Sequence, residues 1–204
     1  MTPPRSLRSL PPEGAPSGSG RPRATGMARD GMVIDTTKCV GCMDCVVACQ
    51  AENDVPIGYA RDWITTTVRG EFPKLAMEIR TERCNHCENP PCVTCCPTGA
   101  SHVNDLGLVK VRANRCIGCK ACIAACPYGA RYVHPKGYVD KCTFCDHRVR
   151  EGKDPACVSV CPTHCMVFGD LDDPRSTVAT LLRTRKWHAL LPEAGTRPRV
   201  FYLT

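Results

Sequence analysis

The sequence predicts an α+β fold made of two nested cysteine-rich units, with a β-hairpin inserted between them and a C-terminal helix that leads into an extended tail. Three observations predict it. Sixteen of the eighteen cysteines fall into four tetrads of similar spacing. The last three tetrads each end in Cys-Pro and are followed by a turn and a short apolar stretch. The interval between the first two tetrads has no cysteine and is rich in β-branched residues.

The four tetrads share the order of their cysteines and most of their spacing. They are Cys39-x2-Cys42-x2-Cys45-x3-Cys49, Cys84-x2-Cys87-x4-Cys92-x3-Cys96, Cys116-x2-Cys119-x2-Cys122-x3-Cys126 and Cys142-x2-Cys145-x11-Cys157-x3-Cys161. The Cys-x2-Cys-x2-Cys-x3-Cys-Pro run is the ligand pattern of bacterial-type [4Fe–4S] ferredoxins, in which the last cysteine ligates the other of two clusters. The tetrads therefore predict four clusters in bacterial-ferredoxin-like dicluster units, and electron transfer as the chemistry.

The spacing between tetrads indicates which of them pair. Only nineteen residues separate Cys96 from Cys116, which suits one compact inner unit made from tetrads two and three. Tetrads one and four flank this unit and are left to form an outer unit. The predicted ligands are Cys39, Cys42, Cys45 and Cys161 for cluster A; Cys142, Cys145, Cys157 and Cys49 for cluster B; Cys84, Cys87, Cys92 and Cys126 for cluster C; and Cys116, Cys119, Cys122 and Cys96 for cluster D.

The predicted boundaries follow from this pairing and from composition. They are a disordered N-terminal extension at 1–31, the outer unit at 32–60 and 140–170, the hairpin insertion at 61–83, the inner unit at 84–139, and the C-terminal helix and tail at 171–204. The first segment is rich in Pro, Ser, Gly and Arg, a composition that buries little apolar surface. Neither a secretory nor a twin-arginine signal is predicted there, and no stretch has the roughly 20 apolar residues of a membrane span.

Three short strands are predicted directly after the ligand segments. The stretches that follow Cys96, Cys126 and Cys161 each turn and then become apolar, ending at Val103, Val133 and Phe168. In the insertion, Trp63-Ile-Thr-Thr-Thr-Val68 and Leu75-Ala-Met-Glu-Ile79 predict two strands joined by the turn Gly70-Glu-Phe-Pro73. This hairpin is expected to brace the clusters, with contact to a partner as the alternative.

The C-terminal segment predicts one amphipathic helix. Between Ser176 and Lys186, the residues Val178, Leu181 and Leu182 share one helical face, and Ser176 is placed to cap the N-terminus. Residues 197–203 are expected to be extended.

A basic residue precedes the first cysteine of every tetrad: Lys38, Arg83, Arg115 and Lys141. A cluster with four thiolates carries about −2 when oxidised, so nearby cations and hydrogen bonds raise its reduction potential. These four residues are candidates for tuning the potentials, and ordinary surface charge is the alternative. Four oxidised clusters contribute about −8 in total, which offsets the formal charge of +7 and weakens any nucleic-acid interpretation.

Other uses of the cysteines explain the pattern less well. A disulfide framework does not require four similar tetrads, and a tetrahedral zinc site uses neither the third closely spaced cysteine nor the trailing proline. The cysteines outside the tetrads are Cys95, whose neighbour Cys96 has the expected spacing, and Cys165, which is expected to be a small buried residue. His86, His147 and His164 lie near ligands but are expected to support or flank them.

Taken together, these motifs resemble the four-cluster iron–sulfur subunits of the DMSO reductase superfamily of molybdopterin oxidoreductases. The likeness runs from about Met32 to the C-terminus. It is carried by Gly31-Met-Val-Ile-Asp35, Arg83-Cys-Asn-His-Cys87, Cys96-Pro-Thr-Gly-Ala100, Cys126-Pro-Tyr-Gly-Ala130, Lys141-Cys-Thr-Phe-Cys145, Phe168-Gly-Asp170 and Gly195-Thr-Arg-Pro-Arg-Val-Phe-Tyr-Leu203. The fourth repeat departs from the pattern, with His164 and Cys165 in place of Gly-Ala.

The resemblance implies a catalytic partner with a molybdenum or tungsten bis-pterin cofactor and an integral-membrane partner that exchanges electrons with quinone. It also implies that the C-terminal tail packs against a neighbouring subunit, and that the complex lies on the bacterial inner membrane, on either side of it. No catalytic residue is predicted, because nucleotide-binding and nucleophile motifs are lacking. The alternatives are a free-standing polyferredoxin, or the same subunit in a formate dehydrogenase, a hydrogenase or a quinol-oxidising complex.

Overall fold

The computed structural model describes residues 28–204, which form a mixed α/β structure of short helices and small sheets. The helices are α1 (Asp44–Glu52), α2 (Pro91–Thr94), α3 (Ala121–Ala124), α4 (Asp146–Arg150), α5 (Ala156–Ser159) and α6 (Thr177–Thr184). The strands are β1 (Asp30–Asp35), β2 (Asp62–Glu71), β3 (Lys74–Arg83), β4 (Ser101–Val103), β5 (Val109–Val111), β6 (Tyr132–Val133), β7 (Val139–Asp140), β8 (Met166–Asp170), β9 (Trp187–His188) and β10 (Val200–Leu203).

A four-stranded sheet in the order β8-β1-β10-β9 joins the two ends of the described residues. β1 pairs antiparallel with β8 and parallel with β10, so it is hydrogen-bonded on both edges. It is buried along its whole length because α6 covers one face and the cysteine-rich core lies against the other. A strand buried on both faces is expected to be a continuous apolar run, as Met32-Val-Ile34 is.

β1 begins at Asp30, inside the segment predicted to be disordered. Asp30 and Gly31 pair with Asp170 and Gly169 of β8, so these two residues belong to the sheet and the predicted boundary is two residues too late. The rest of that prediction, for residues 1–27, lies outside the described part of the chain.

The strands β2 and β3 pair antiparallel over ten residues each. The base of this pair is buried, with Asp62, Thr81 and Arg83 each 1% exposed. The tip exposes several large apolar side chains, among them Phe72, which is 89% exposed, beside the charged Arg69, Glu71 and Lys74. The insertion therefore contributes side chains to the interior at one end and presents exposed apolar side chains at the other.

The predicted strands after the last cysteines are confirmed. β4 pairs with β5, β6 with β7, and β8 with β1. The predicted C-terminal helix is also confirmed: the Ser176 hydroxyl accepts a hydrogen bond from the Ala179 amide at 3.1 Å, and Val178 is fully buried. Residues 200–203, expected to be extended, form β10, whose side chains Val200, Tyr202 and Leu203 are buried in this chain's own core.

Thiols make up much of the interior. The largest apolar cluster contains Met32, Ile34, Leu108, Phe144 and Tyr202 together with six buried cysteines. The short helices pack in pairs around these thiols, α1 on α5 and α2 on α3.

Candidate metal centres

Three clefts in the structure are each lined by four cysteines that the spacing of the tetrads assigns to one cluster. The first cleft has about 320 Å³ of empty space, open solvent included, and is lined by Cys96, Cys116, Cys119 and Cys122. The second has about 300 Å³ and is lined by Cys84, Cys87, Cys92 and Cys126. The third, also of about 300 Å³, is lined by Cys39, Cys42, Cys45 and Cys161, with Cys165 beside them.

The remaining four cysteines also come together. Cys49 lies within electrostatic range of Cys142, Cys145 and Cys157, and all four are buried. The Asn53 side-chain amide lies 3.7 Å from the sulfurs of both Cys49 and Cys145. The structure thus brings the sixteen predicted ligands into four groups of four, and each group takes its fourth member from a distant tetrad.

The helices explain this exchange of cysteines. α1 carries Cys45 and Cys49 on successive turns, and the helix packs against α5, which holds Cys157. α2 and α3 likewise pack together and hold Cys92 and Cys122. Each pair of helices therefore separates two groups of thiols and supplies ligands to both.

The ligand loops wrap tightly because the residue before each second cysteine is left-handed. Its φ is +69° at Gly41, +43° at His86, +68° at Gly118 and +52° at Phe144. A glycine adopts this conformation without steric cost, and a residue with a side chain does not. A Cβ on Gly118 would also lie 2.8 Å from the Gly137 carbonyl oxygen, so the third loop requires glycine for space as well.

Burial opposes deprotonation at some of the predicted ligand thiols, and hydrogen bonds favour it at others. Burial, the largest effect, raises the pKa of Cys157 to about 11 and that of Cys142 to about 12. Metal ligands of this type must be thiolates, so iron bound here, together with the positive charge of Arg83, would have to offset the burial of these two thiols. At Cys96, burial acts upward on the pKa, but hydrogen bonds from the Ser101 amide and from Thr98 outweigh it and lower the pKa.

The arrangement suits a cluster better than a single ion. The thiols of a cubane surround a cage of eight atoms, so they stand further apart than the ligands of one ion. Four thiols around an open cleft of this size, with amides donating to sulfur, are the donor set of a [4Fe–4S] cluster.

The four predicted tuning residues divide into two environments. Lys38 and Arg115 are exposed. Arg83 and Lys141 are both 1% exposed, the first donating to the Cys157 sulfur at 2.9 Å and the second to the Cys142 carbonyl at 2.6 Å. A basic residue before the first cysteine is therefore internal only in tetrads two and four.

Sequence reasoning missed a third buried cation, Arg131, which is 6% exposed. Its guanidinium donates to the Cys92 sulfur at 2.8 Å and to the Ser101 hydroxyl at 2.9 Å. The available signal was the repeat itself, because Arg131 interrupts the apolar stretch after Cys126. Its counterparts after the other Cys-Pro pairs are Ser101 and Met166.

The spare cysteines and the histidines take different positions. Cys165 is buried with its sulfur 3.4 Å from that of Cys161. Cys95 does not line the cleft that holds Cys96, and packs instead against the small apolar cluster around Val109 and Val139. His86 is fully buried, and burial followed by the charge of Lys141 holds its pKa well below the usual range. His147, 2.7 Å from Glu52, and His164 are exposed.

Across residues 28–204, no helix combines the length and apolar character needed to cross a lipid bilayer.

Comparison with known proteins gives the same chemistry. Two family models described as 4Fe-4S dicluster domains match residues 38–100 and 75–171. The sequence is 38% identical to the arsenate respiratory reductase iron-sulfur subunit ArrB of Shewanella sp. strain ANA-3, over 86% of this chain and 96% of the relative. It is 40% identical to a tetrathionate reductase subunit of Salmonella typhimurium, over 86% of this chain and 72% of the relative. It is 42% identical to a polysulfide reductase chain of Wolinella succinogenes, over 84% of this chain and 92% of the relative. This protein therefore belongs to the family of [4Fe–4S] iron–sulfur subunits of the molybdopterin oxidoreductases.

Proposed function

We propose that this protein binds four [4Fe–4S] clusters and relays single electrons through them inside a respiratory oxidoreductase complex. The observation that carries the proposal is the gathering of sixteen cysteines into four groups of four, three of them around clefts of similar size. Clusters A to D take the ligands predicted from the cysteine spacing. The nested arrangement of an outer unit, with clusters A and B, around an inner unit, with clusters C and D, is part of this proposal.

The clusters follow one another in the order A, B, C, D. Clusters A and B are neighbours because α1 supplies Cys45 to one and Cys49 to the other. Clusters C and D are neighbours through the packing of α2 on α3. Clusters B and C are also neighbours. Cys84, a cluster C ligand, is close enough to Cys142, a cluster B ligand, to affect its pKa electrostatically.

Electrons enter and leave at clusters A and D. Cys42 of cluster A and Cys119 of cluster D are exposed, whereas every ligand of cluster B is buried. The exposed ligands have apolar neighbours that are also exposed: Val40 and Met43 at cluster A, and Ile117 at cluster D. Because tunnelling requires a short distance to the next redox centre, an exposed cluster edge with an apolar surround suits a docking surface.

The partners are a catalytic subunit with a molybdenum or tungsten bis-pterin cofactor and an integral-membrane subunit that exchanges electrons with quinone. The names of the relatives, which are subunits of arsenate, tetrathionate and polysulfide reductases, support a fixed subunit of a reductase. The complex lies on the bacterial inner membrane, where the membrane partner anchors it and this subunit is peripheral. The exposed tip of β2 and β3 is a candidate contact with these partners, whereas the C-terminal tail is held in this chain's own core through Val200, Tyr202 and Leu203.

Anaerobic affinity purification from native membranes tests the proposal. We expect the tagged protein to co-purify with a large subunit that contains molybdenum or tungsten and with a multi-span membrane protein, and to carry about sixteen iron atoms per chain. A matched preparation from the membrane-free fraction serves as the control. Recovery of the iron-loaded protein alone from both fractions would contradict the subunit assignment and favour a free-standing polyferredoxin. An iron content near four or eight would contradict the four-cluster assignment.

A further inference from the structure

Buried cations lie between successive groups of cysteine ligands. We propose that Arg83, Lys141 and Arg131 occupy the three gaps between clusters A and B, B and C, and C and D, and that each raises the reduction potentials of the two clusters beside it. The inference rests on the cluster assignments of the proposed function. In the sequence, the four basic residues that precede a first cysteine are equivalent candidates for tuning. The inference instead assigns the tuning to buried cations, whatever their position in a tetrad.

Arg83 bridges clusters A and B. One guanidinium nitrogen donates to the sulfur of Cys157, a cluster B ligand, at 2.9 Å. The other donates to the Thr81 hydroxyl at 2.5 Å, and this hydroxyl lies 3.7 Å from the sulfur of Cys45, a cluster A ligand. The same nitrogen is 3.3 Å from the sulfur of Met166, which lines the cluster A cleft.

Arg131 bridges clusters C and D in the same way. It lines the cluster C cleft, and its guanidinium donates to the sulfur of Cys92, a cluster C ligand, at 2.8 Å. It also donates to the hydroxyl of Ser101 at 2.9 Å. The Ser101 amide in turn donates to the sulfur of Cys96, a cluster D ligand, at 3.3 Å. Each arginine thus contacts one cluster directly and the other through a hydroxyl residue.

Lys141 lies between clusters B and C. Its ammonium group donates to the carbonyl of Cys142, a cluster B ligand, at 2.6 Å. It also donates to the carbonyl of Val109, which lines the cluster C cleft. Lys141 is a point charge held by backbone carbonyls, whereas the two arginines donate directly to ligand sulfurs.

Burial gives these cations their effect. A one-electron reduction adds one negative charge to a cluster, and a nearby cation in a low-dielectric interior stabilises that added charge. The exposed Lys38 and Arg115 act through solvent and are screened by salt. At the first gap, the buried carboxylate of Asp62 lies 3.8 Å from Arg83 and offsets part of its charge. The ionisable groups with the largest electrostatic effect on Arg131 are Cys92, Cys84 and Cys122, all of which are predicted cluster ligands. Arg131 therefore gives a cleaner test than Arg83, whose charge Asp62 partly offsets.

Potentiometric titration followed by electron paramagnetic resonance tests the inference. We expect Arg131→Gln to reduce the equilibrium constant for reducing clusters C and D by about tenfold, which is about 59 mV for a one-electron couple. Clusters A and B should stay within twofold of the wild-type constant. Arg131→Lys, which keeps the charge, should recover most of the loss. Arg83→Gln should lower the equilibrium constants for reducing clusters A and B and leave those of clusters C and D unchanged.

The exposed basic residues provide matched controls. Lys38→Gln and Arg115→Gln remove one positive charge each, directly before a first cysteine. They should leave the equilibrium constants for reducing all four clusters within twofold of the wild-type values. Equal shifts in the buried and exposed variants, or no shift in Arg131→Gln and Arg83→Gln with iron content unchanged, would overturn the inference. An iron content of the wild-type protein well below sixteen per chain would instead show that the cluster assignment is wrong.

A second measurement decides the matter if a glutamine variant does not retain its iron. Potentials set by buried cations should be almost independent of ionic strength, because salt does not reach them. The wild-type protein is therefore titrated at about 0.05 M and about 1 M KCl, where the screening length differs severalfold. If the reduction potentials of clusters B and C fall with added salt, exposed charges set them, and tuning by the buried Arg83, Lys141 and Arg131 is excluded.

Discussion

The imidazole of His86 stacks on the phenyl ring of Phe144, with ring centroids 3.9 Å apart and an interplanar angle of 22°. Both residues stand directly before the second cysteine of their tetrads, where the other two tetrads have Gly41 and Gly118. Both have a left-handed backbone, with φ of +43° and +52°. The two rings, each no more than 1% exposed, fill the junction between the proposed outer and inner units, and the unfavourable backbone conformation is the cost of placing a side chain there.

Because Phe144 combines a buried ring with a left-handed backbone, we expect an unusual order of iron-release rates among its variants. Loss of a buried phenyl ring costs about 3–5 kcal/mol, so both Phe144→Ala and Phe144→Gly should release iron faster than wild type in guanidinium chloride. A left-handed backbone conformation costs about 1–2 kcal/mol for a residue with a side chain, and glycine avoids this cost. Phe144→Gly should therefore release iron no faster than Phe144→Ala. Visible absorbance measures the rate, since unfolding with cluster loss is irreversible. A glycine variant much less stable than the alanine variant would contradict the backbone argument.

The two adjacent cysteines 95 and 96 should differ in iron content when replaced. Cys96 lines the cleft with Cys116, Cys119 and Cys122, whereas Cys95 does not. Cys96→Ser should therefore lose or convert one cluster, with a deficit of up to about four iron atoms per chain. Cys95→Ser should keep full iron and is the matched control. Iron analysis and electron paramagnetic resonance measure both, and a full complement in Cys96→Ser would contradict the assignment of cluster D.

Glycine 118 should be less replaceable than Gly58, although both have a left-handed backbone. A methyl group costs about 1–2 kcal/mol at either position from the backbone alone. At Gly118 it also meets the Gly137 carbonyl at 2.8 Å, whereas at Gly58 it meets nothing within 4 Å. We expect Gly118→Ala to lose the signal of cluster D and Gly58→Ala to retain every signal. Equal cluster content in the two variants would show that the third loop adjusts without cost.

Removal of iron should unfold the described part of the chain. Its largest apolar cluster includes Cys45, Cys84, Cys142, Cys157 and Cys161, all of which are predicted iron ligands. Without metal, these thiols surround empty clefts and the remaining core is small for a domain of this size. Anaerobic chelation should abolish protease resistance and most of the circular dichroism signal. A protease-resistant apo-protein would mean that β1, β8 and β10 with α6 fold without the clusters.

Some local features could be predicted residue by residue because their causes are local. The ligand tetrads follow from cysteine spacing along a loop, and the cap at Ser176 from a hydroxyl placed before an amphipathic run. The strands after Cys96, Cys126 and Cys161 follow from apolar stretches beyond a turn. In each case the information lies within a few residues of the feature.

Features that depend on distant residues could not be predicted this way. The parallel pairing of Met32–Asp35 with Val200–Leu203 joins segments at opposite ends of the described residues, and neither segment signals the other. The difference between buried Arg83 and exposed Arg115 arises in the same way: the hairpin base and β8 enclose the first, and nothing comparable among the described residues covers the second.

The sequence by itself determined the chemistry of this protein, because thiol number and spacing fix which cofactor it is able to bind. Only the tertiary structure decided the electrostatics around those thiols. Whether a cation tunes a potential depends on the dielectric between it and the cluster, and that depends on which elements pack over it. Arg131 lies among ordinary strand residues in the sequence and between two groups of cluster ligands in the fold.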